Sequence, residues 1–391
     1  MKKSILIIFL LTAFFAGSMF AEYRADKPSG EGTKESPFLM ESVENLLWLS
    51  DNVTNVAYGS YFLQTKDIDA SETKTWRDGK GFPPIGICEY FNTQTGLSNV
   101  KLFCGTYDGG NYVISGLSFY PSTTECDDYY ALFGGVTNSC LKNIILEDVT
   151  MRATHTCAAL AARIASTSIS NCHVNITFTQ EDPFACSCIG GLVGLIDVFA
   201  EITCCSAKVK DLKGGGSGGL VATCNIPLYN YEPSYIYIKK CFTEGNIYGD
   251  WVGGLISSGG RQPMEDCYSL VDMSGRYNVG GITAFGAGIC KNCYHYGKIE
   301  NGNPISGGNS SGTASGVYYC SEQGTDPNPG TIGKTYAELL KKETYEGWDF
   351  ENTWYIEEDV SLPTLSWEMP EPCIASLFAL ILGMFMMKRN A

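Results

Sequence analysis

The sequence predicts an all-β chain wound as a parallel β-helix, and three observations carry that prediction. A Gly-Gly pair before an apolar residue recurs at Gly190-Gly191-Leu192, Gly218-Gly219-Leu220, Gly253-Gly254-Leu255 and Gly280-Gly281-Ile282, then in degenerate form at Gly307-Gly308. Its second glycines, Gly191, Gly219, Gly254 and Gly281, stand 28, 35 and 27 residues apart. A cysteine recurs in step at Cys172, Cys205, Cys241, Cys267, Cys293 and Cys320, with spacings of 33, 36, 26, 26 and 27. Between these markers lie short apolar, β-branched runs bounded by Gly, Asn and Asp, the pattern of strands and turns. A period near 26 residues is shorter than the roughly 33 or more of helical-pair repeats. The glycine and β-branched content also opposes helix. One coil of a parallel β-helix fits. A coil cannot bury its own apolar face, but neighbours stacked at about 4.8 Å build a continuous core.

Along the chain, residues 1–21 read as a signal peptide. Lys2 and Lys3 precede the apolar run Ile5 to Phe15, and Ala21 is a suitable cleavage point. Residues 22–130 form an N-terminal cap and the first coils, with a short helix expected over about Glu41 to Val53. Residues 131–330 hold the repeats, including weaker copies from Ala131 to Ile144 and from Ala158 to Cys172. The recurring glycine marks a tight corner or a close backbone approach. Residues 331–369 form the exit, in which Tyr336 to Lys342 reads as a short helix able to help cover the open end of the coil stack. Residues 370–391 form a tail: Pro370-Glu371-Pro372, an apolar stretch from Ile374 to Met387, then Lys388 and Arg389. That stretch is shorter than the roughly 17–25 residues of an ordinary membrane span.

Two resemblances follow from these residues. Gly191-Leu192-Val193-Gly194 and its companions resemble the GLUG motif of bacterial surface and adhesin-like proteins. The opening stretches Gly32-Thr33, Ser36-Pro37-Phe38-Leu39, Asp67-Ile68-Asp69 and Phe103 to Gly109, and the closing stretch Gly347-Trp348-Asp349-Phe350 with Leu362-Pro363-Thr364-Leu365, fit the same pattern. This resemblance, covering roughly Gly30 to Trp367, implies a right-handed β-helix and an extracytoplasmic role, with no shared activity. The tail resembles a PEP-CTERM sorting signal, through Pro370, Glu371, Pro372, the apolar run, Lys388 and Arg389. That resemblance implies a processing protease of the exosortase kind at the inner membrane and delivery to the cell surface or extracellular matrix. A plain C-terminal anchor is the alternative.

Twenty-seven basic against 42 acidic residues give a net charge of −15. Nucleic-acid binding, which needs a basic face, is excluded on that ground. Seventeen cysteines in an exported chain suggest disulfides. The periodic cysteines suggest instead a column of buried thiols, because in-register side chains point the same way and resist the S–S torsion. Cys88, Cys104, Cys126 and Cys140, off that phase, are the better bridge candidates. Cys290 and Cys293 followed by His295 are too few ligands for a closed zinc site, so no metal or cofactor is expected. Asp67, Asp69, Asp108, Asp127 and Asp128 are the carboxylates that a polysaccharide-cleaving β-helix would use. Turn chemistry explains them equally well, and no catalytic residue is assigned. The aromatic candidates for ligand contact are Tyr229, Tyr231 and Tyr235 in a Tyr-rich loop that continues to Tyr237, and Trp251 near a corner. The expected function is a non-enzymatic, structural or adhesive surface protein contacting surface polysaccharide or another envelope protein. A polysaccharide-binding or polysaccharide-cleaving β-helix is the alternative.

Overall fold

The computed structural model describes residues 23–368, apart from 57, 89–99, 121–128, 153–154, 180–187, 225–235, 260–261, 286–288 and 309–312. The signal segment, the tail with Pro370, Glu371, Pro372, Lys388 and Arg389, and Tyr229, Tyr231, Tyr235, Cys126, Asp127 and Asp128 therefore lie outside the described residues. So does the side chain of Cys88.

Among the described residues twenty-seven strands form one continuous sheet, and each of its named pairings is parallel. The chain coils as a right-handed parallel β-helix. A single turn shows how. Ile236–Lys239 forms one face, Phe242–Gly253 the next, and Ile256–Ser258 the third. Each residue pairs with its counterpart one coil on. Phe242 pairs with Tyr268, Val252 with Val279, and Ile256 with Thr283. Side chains alternate in and out, so His173–Phe178 reads as half-buried and buried in strict turn. The inward residues form one core running the length of the stack. The sheet crosses residue 130 without a break, because Cys140 pairs with Thr106 and Thr156 with Tyr129.

The first coils are filled by aromatic rings. Phe38, Phe62, Phe103 and Phe133 follow one another at centroid separations of 5.4, 5.7 and 5.0 Å. Over them lies helix α1 (Val43–Val56), which buries Val43, Leu46, Leu47, Leu49 and Val53. It lies within three residues of the span expected from the sequence and packs on the first coil, its Trp48 ring 5.5 Å from Phe38.

The cysteine column marks a corner. At each coil the residue before the column turns through the left-handed region: Asn171 (φ 50°), Cys204 (φ 53°), Lys240 (φ 53°), Asp266 (φ 54°) and Asn292 (φ 51°). The next side chain, Cys172, Cys205, Cys241, Cys267 or Cys293, then points into the core and is fully buried. Each thiol donates to the carbonyl two residues back, at 3.4, 3.1, 3.2, 3.2 and 3.3 Å. A cysteine therefore fills a small apolar site and gives a second donor to a carbonyl that already accepts an amide of the preceding coil, as the Lys239 carbonyl does from Cys204 at 3.1 Å. All five are free thiols. Burial, which disfavours a thiolate, pushes Cys172, Cys241, Cys267 and Cys293 upward.

Two sequence expectations are corrected. Cys320 is outside the column: Cys293 pairs with Val317, so valine takes that core place. Cys320 lies three residues on, in a second cluster. Cys104 and Cys140, expected to bridge, are free thiols.

That second cluster stands on the outer flank of the corner. The residue after each column cysteine points outward, so Phe242, Tyr268 and Tyr294 stack at 4.9 and 5.0 Å with interplanar angles of 2° and 7°. The exit segment packs on this ladder. It begins with helix α2 (Tyr336–Leu339), opened by a Thr335–Glu338 capping box. From there it runs back across the coils: Tyr345 and Trp348 meet Tyr318, Trp354 meets Tyr294 and Tyr268, and Trp367 meets Phe242 and His173. The exit thus straps the flank of the solenoid rather than serving only its end.

Candidate functional site

The glycine column shapes the site. Gly190, Gly218, Gly253 and Gly280 are paired in register along the stack. A Cβ at Gly218 would overlap the carbonyl oxygen of Val221, and one at Gly219 the carbonyl oxygen of Gly254. The backbone therefore folds inward here more tightly than any side chain permits. The corner is re-entrant, so outward side chains before and after it converge across a groove instead of splaying apart. One wall carries, coil after coil, Tyr129, Thr156, Cys188, Gly216, Trp251 and Asn278. The other carries Arg163, Leu195, Thr223, Ser258 and Phe285.

Toward the N-terminal coils the groove is filled. Tyr129 and Leu195 close it, both 8% exposed, and the Arg163 guanidinium lies 5.6 Å from the Tyr129 ring centroid while its Nε donates to Asp197 at 2.6 Å. From Cys188 onward it opens into a cavity of about 380 Å3 lined by Cys188, Gly216, Thr223, Trp251, Ser258 and Phe285. Across its floor the Thr223 hydroxyl donates to the Cys188 sulfur at 3.3 Å. Burial pushes the Cys188 thiol upward, so the wall carries it as a neutral thiol.

Large rings flank the opening. Trp251 is 46% exposed, Phe285 55% and Tyr277 64%. Tyr277 reaches the rim through a β-bulge. Gly249 pairs with Gly275 but Trp251 pairs with Asn278, so one extra residue is accommodated around Arg276 and Tyr277. The Tyr277 ring then lies 5.9 Å from Trp251. Arg276 is held in a fork on Asp250, with Nε at 2.6 Å and Nη2 at 3.1 Å. Its guanidinium stands 6.0 Å from the Tyr277 centroid. The cation is thus neutralised locally, and the rim presents ring faces. Such surfaces receive sugar faces or apolar side chains.

Of the sequence candidates, Trp251 is in this groove, and the repeat glycines Gly191, Gly219, Gly254 and Gly281 lie at the corner behind it, where a Cβ would meet core side chains such as Val209, Thr243, Ser269 and His295. Phe285 and Tyr277 were missed. Phe285 was within reach, because it follows Gly281 by the same four residues that separate Ser258 from Gly254. Tyr237 lies on another face, 48% exposed, in a shallow depression with Phe199 and Glu201.

Of the carboxylates considered for catalysis, Asp127 and Asp128 lie outside the described residues, and Asp67, Asp69 and Asp108 are engaged in hydrogen bonds within and between coils. Asp67 accepts from the Val113 amide at 2.8 Å, and Asp69 from the Ser71 amide at 2.9 Å, which lowers its pKa. Asp108 accepts from the Gly110 amide, the Asn143 side chain and Lys142, and is also held below the usual range. His295, near Cys290 and Cys293, is buried, with Nε2 3.1 Å from the Gly297 carbonyl oxygen, and burial depresses it to about 4. Among the described residues no three His, Cys, Asp or Glu side chains form a metal-holding group.

No family model matches the chain. Halomucin of Haloquadratum walsbyi is 29% identical over 168 residues, covering 43% of this chain and 2% of that protein. A protein of Evansella cellulosilytica named a Gly-rich membrane protein is 34% identical over 121 residues, covering 30% of this chain and 12% of its own length. The chain therefore spans only a small part of these relatives. Among solved structures, one named IgA1 protease is similar with a TM-score of 0.52 at 16% identity, over 73% of this chain and 21% of that one. A Bacteroides ovatus chain assigned by name to immunoglobulin A1 proteases has a TM-score of 0.49 at 16% identity, over 86% and 94%. The former likeness concerns fold alone, and the fold it shares with this chain is the parallel β-helix.

Proposed function

We propose that the chain is an exported, non-enzymatic structural or adhesive component of the cell surface or extracellular matrix, making its contact through the glycine-floored groove at Trp251. The observation that carries this reading is the groove itself: three half-exposed or more exposed rings gathered on an otherwise regular solenoid. Rings of that size are normally buried, and a cluster of them at one opening is a recognition feature. The engagement of Asp67, Asp69 and Asp108 in hydrogen bonds within and between coils supports a binding rather than a cleaving role. The halomucin and Gly-rich membrane protein likenesses support an extracytoplasmic setting.

Export and tail processing complete the proposal. The signal segment directs the chain outward, and a protease at the inner membrane acts at the tail beginning with Pro370. Fractionation of the native protein, with intact mass and both mature termini, tests this. The expected product begins after Ala21, ends near Pro372 and leaves the inner membrane. A chain carrying an intact tail in the inner membrane would overturn the sorting step.

A further inference from the structure

We propose that the groove takes a neutral linear polysaccharide lying along the solenoid axis, with one sugar ring on Trp251 and a further ring on Phe285. This rests on the adhesive reading of the same groove and names its ligand.

Three observations select the ligand. The first is direction. The groove runs across the strands, from coil to coil, because its walls are columns of paired residues and not single loops. An extended polymer fits such a site better than a compact ligand. Trp251 stands on one wall, and Phe285 on the other wall one coil further on, so the rings meet opposite faces of a chain passing along the axis. The cavity of about 380 Å3 falls within the roughly 300–1,000 Å3 of small-molecule sites.

The second is that the floor offers no backbone pairing. The Gly191 amide donates to Gly219, the Gly219 amide to Gly253, and the Gly254 amide to Gly280, each at 3.1 Å. An extended peptide gains its affinity by adding as a strand to unpaired backbone, and these groups are already spent on the next coil. Recognition falls to ring faces and to side-chain hydroxyls such as that of Ser258. That combination suits a pyranose, which presents an apolar C–H face and a hydroxyl rim.

The third is charge. The chain carries a net −15, and Arg276 at the rim is already paired with Asp250. Among the described residues the cations of the groove, Arg163 and Arg276, are each paired with a carboxylate, so uronic-acid polymers are disfavoured.

The test is affinity electrophoresis of the purified mature chain in gels containing soluble neutral glucans, galactans and mannans, with polygalacturonate as the acidic comparison. Attachment to intact envelopes is measured alongside. Retardation by at least one neutral polymer is expected, with none by polygalacturonate. The double variant W251A/F285S should weaken retention ten-fold or more, and W251F should keep most of it. Circular dichroism and the unfolding midpoint show that each variant is folded. Absence of retardation by every neutral polymer overturns the proposal, as does retardation that W251A/F285S leaves unchanged. Envelope attachment separates the two levels. Trp251-dependent attachment that is abolished by protease treatment of the target overturns the polysaccharide but keeps the adhesive groove. Attachment indifferent to W251A/F285S overturns both.

Discussion

The Tyr268 hydroxyl donates a 2.7 Å hydrogen bond to Glu368, across 100 residues of chain. It joins the end of the exit strap to the aromatic ladder. Glu368 also accepts from the Leu365 amide at 2.6 Å, and next to it the Trp367 indole donates to the Lys240 carbonyl at 3.2 Å. Burial is the main influence on this carboxyl. Glu244 adds to it, while Tyr268, the Leu365 amide and Lys208 oppose it, and the result is a pKa of about 7.

A folded pKa above the unfolded one means that the folded chain favours the protonated acid. Glu368 therefore contributes stability that is fully present below about 4.5 and is lost as pH rises toward 7. Thermal unfolding between pH 5 and 8 should show the wild type losing on the order of 2 kcal/mol relative to E368Q over that window. Parallel pH profiles for the two proteins would contradict this account.

The glycine floor predicts an unusual pair of substitutions. Gly219→Ala places a Cβ against the Gly254 carbonyl oxygen, and the cost is expected to reach about 3 kcal/mol or more. Gly308→Ala, whose nearest neighbour is the movable Phe285 ring at 3.3 Å, should stay within about 1 kcal/mol. Denaturant midpoints of the two variants decide the matter.

The cysteine column predicts graded thiol reactivity. Cys172, Cys205, Cys241, Cys267 and Cys293 are fully buried, whereas Cys104, Cys140, Cys188 and Cys204 are only partly so. Alkylation of the native chain followed by mass mapping should label members of the second group first. The column should react only on unfolding. Cys241→Ala, which leaves a void and removes one of two donors to the Lys239 carbonyl, should cost about 1–2 kcal/mol.

Much of the fold was legible because a solenoid repeats its constraints. Gly191, Gly219, Gly254 and Gly281 recur since each coil needs the same backbone approach, and Cys172 to Cys293 recur since each corner leaves the same small cavity. Cys320 misled because a spacing of 27 residues imitates a coil, whereas the pairing of Cys293 with Val317 shows a shorter one. Spacing counts residues, but core position depends on how many of them the intervening corners absorb. Tyr277 was hidden for the same reason: a bulge shifts it to the rim, and bulges depend on pairing, which a single strand's sequence does not display. The Trp348, Trp354 and Trp367 segment was recognisable as an exit. Its path back along Tyr318, Tyr294, Tyr268 and Phe242 depends on contacts between distant parts of the chain.

Trp251, half-exposed at the groove, is expected to serve contact and not stability. The most direct measurement compares wild type and Trp251→Ala for envelope attachment and unfolding midpoint in the same preparations. Attachment should fall ten-fold or more, with the midpoint changed by no more than about 2 °C. Attachment equal to wild type, or a collapse of the midpoint that accounts for its loss, would contradict that role.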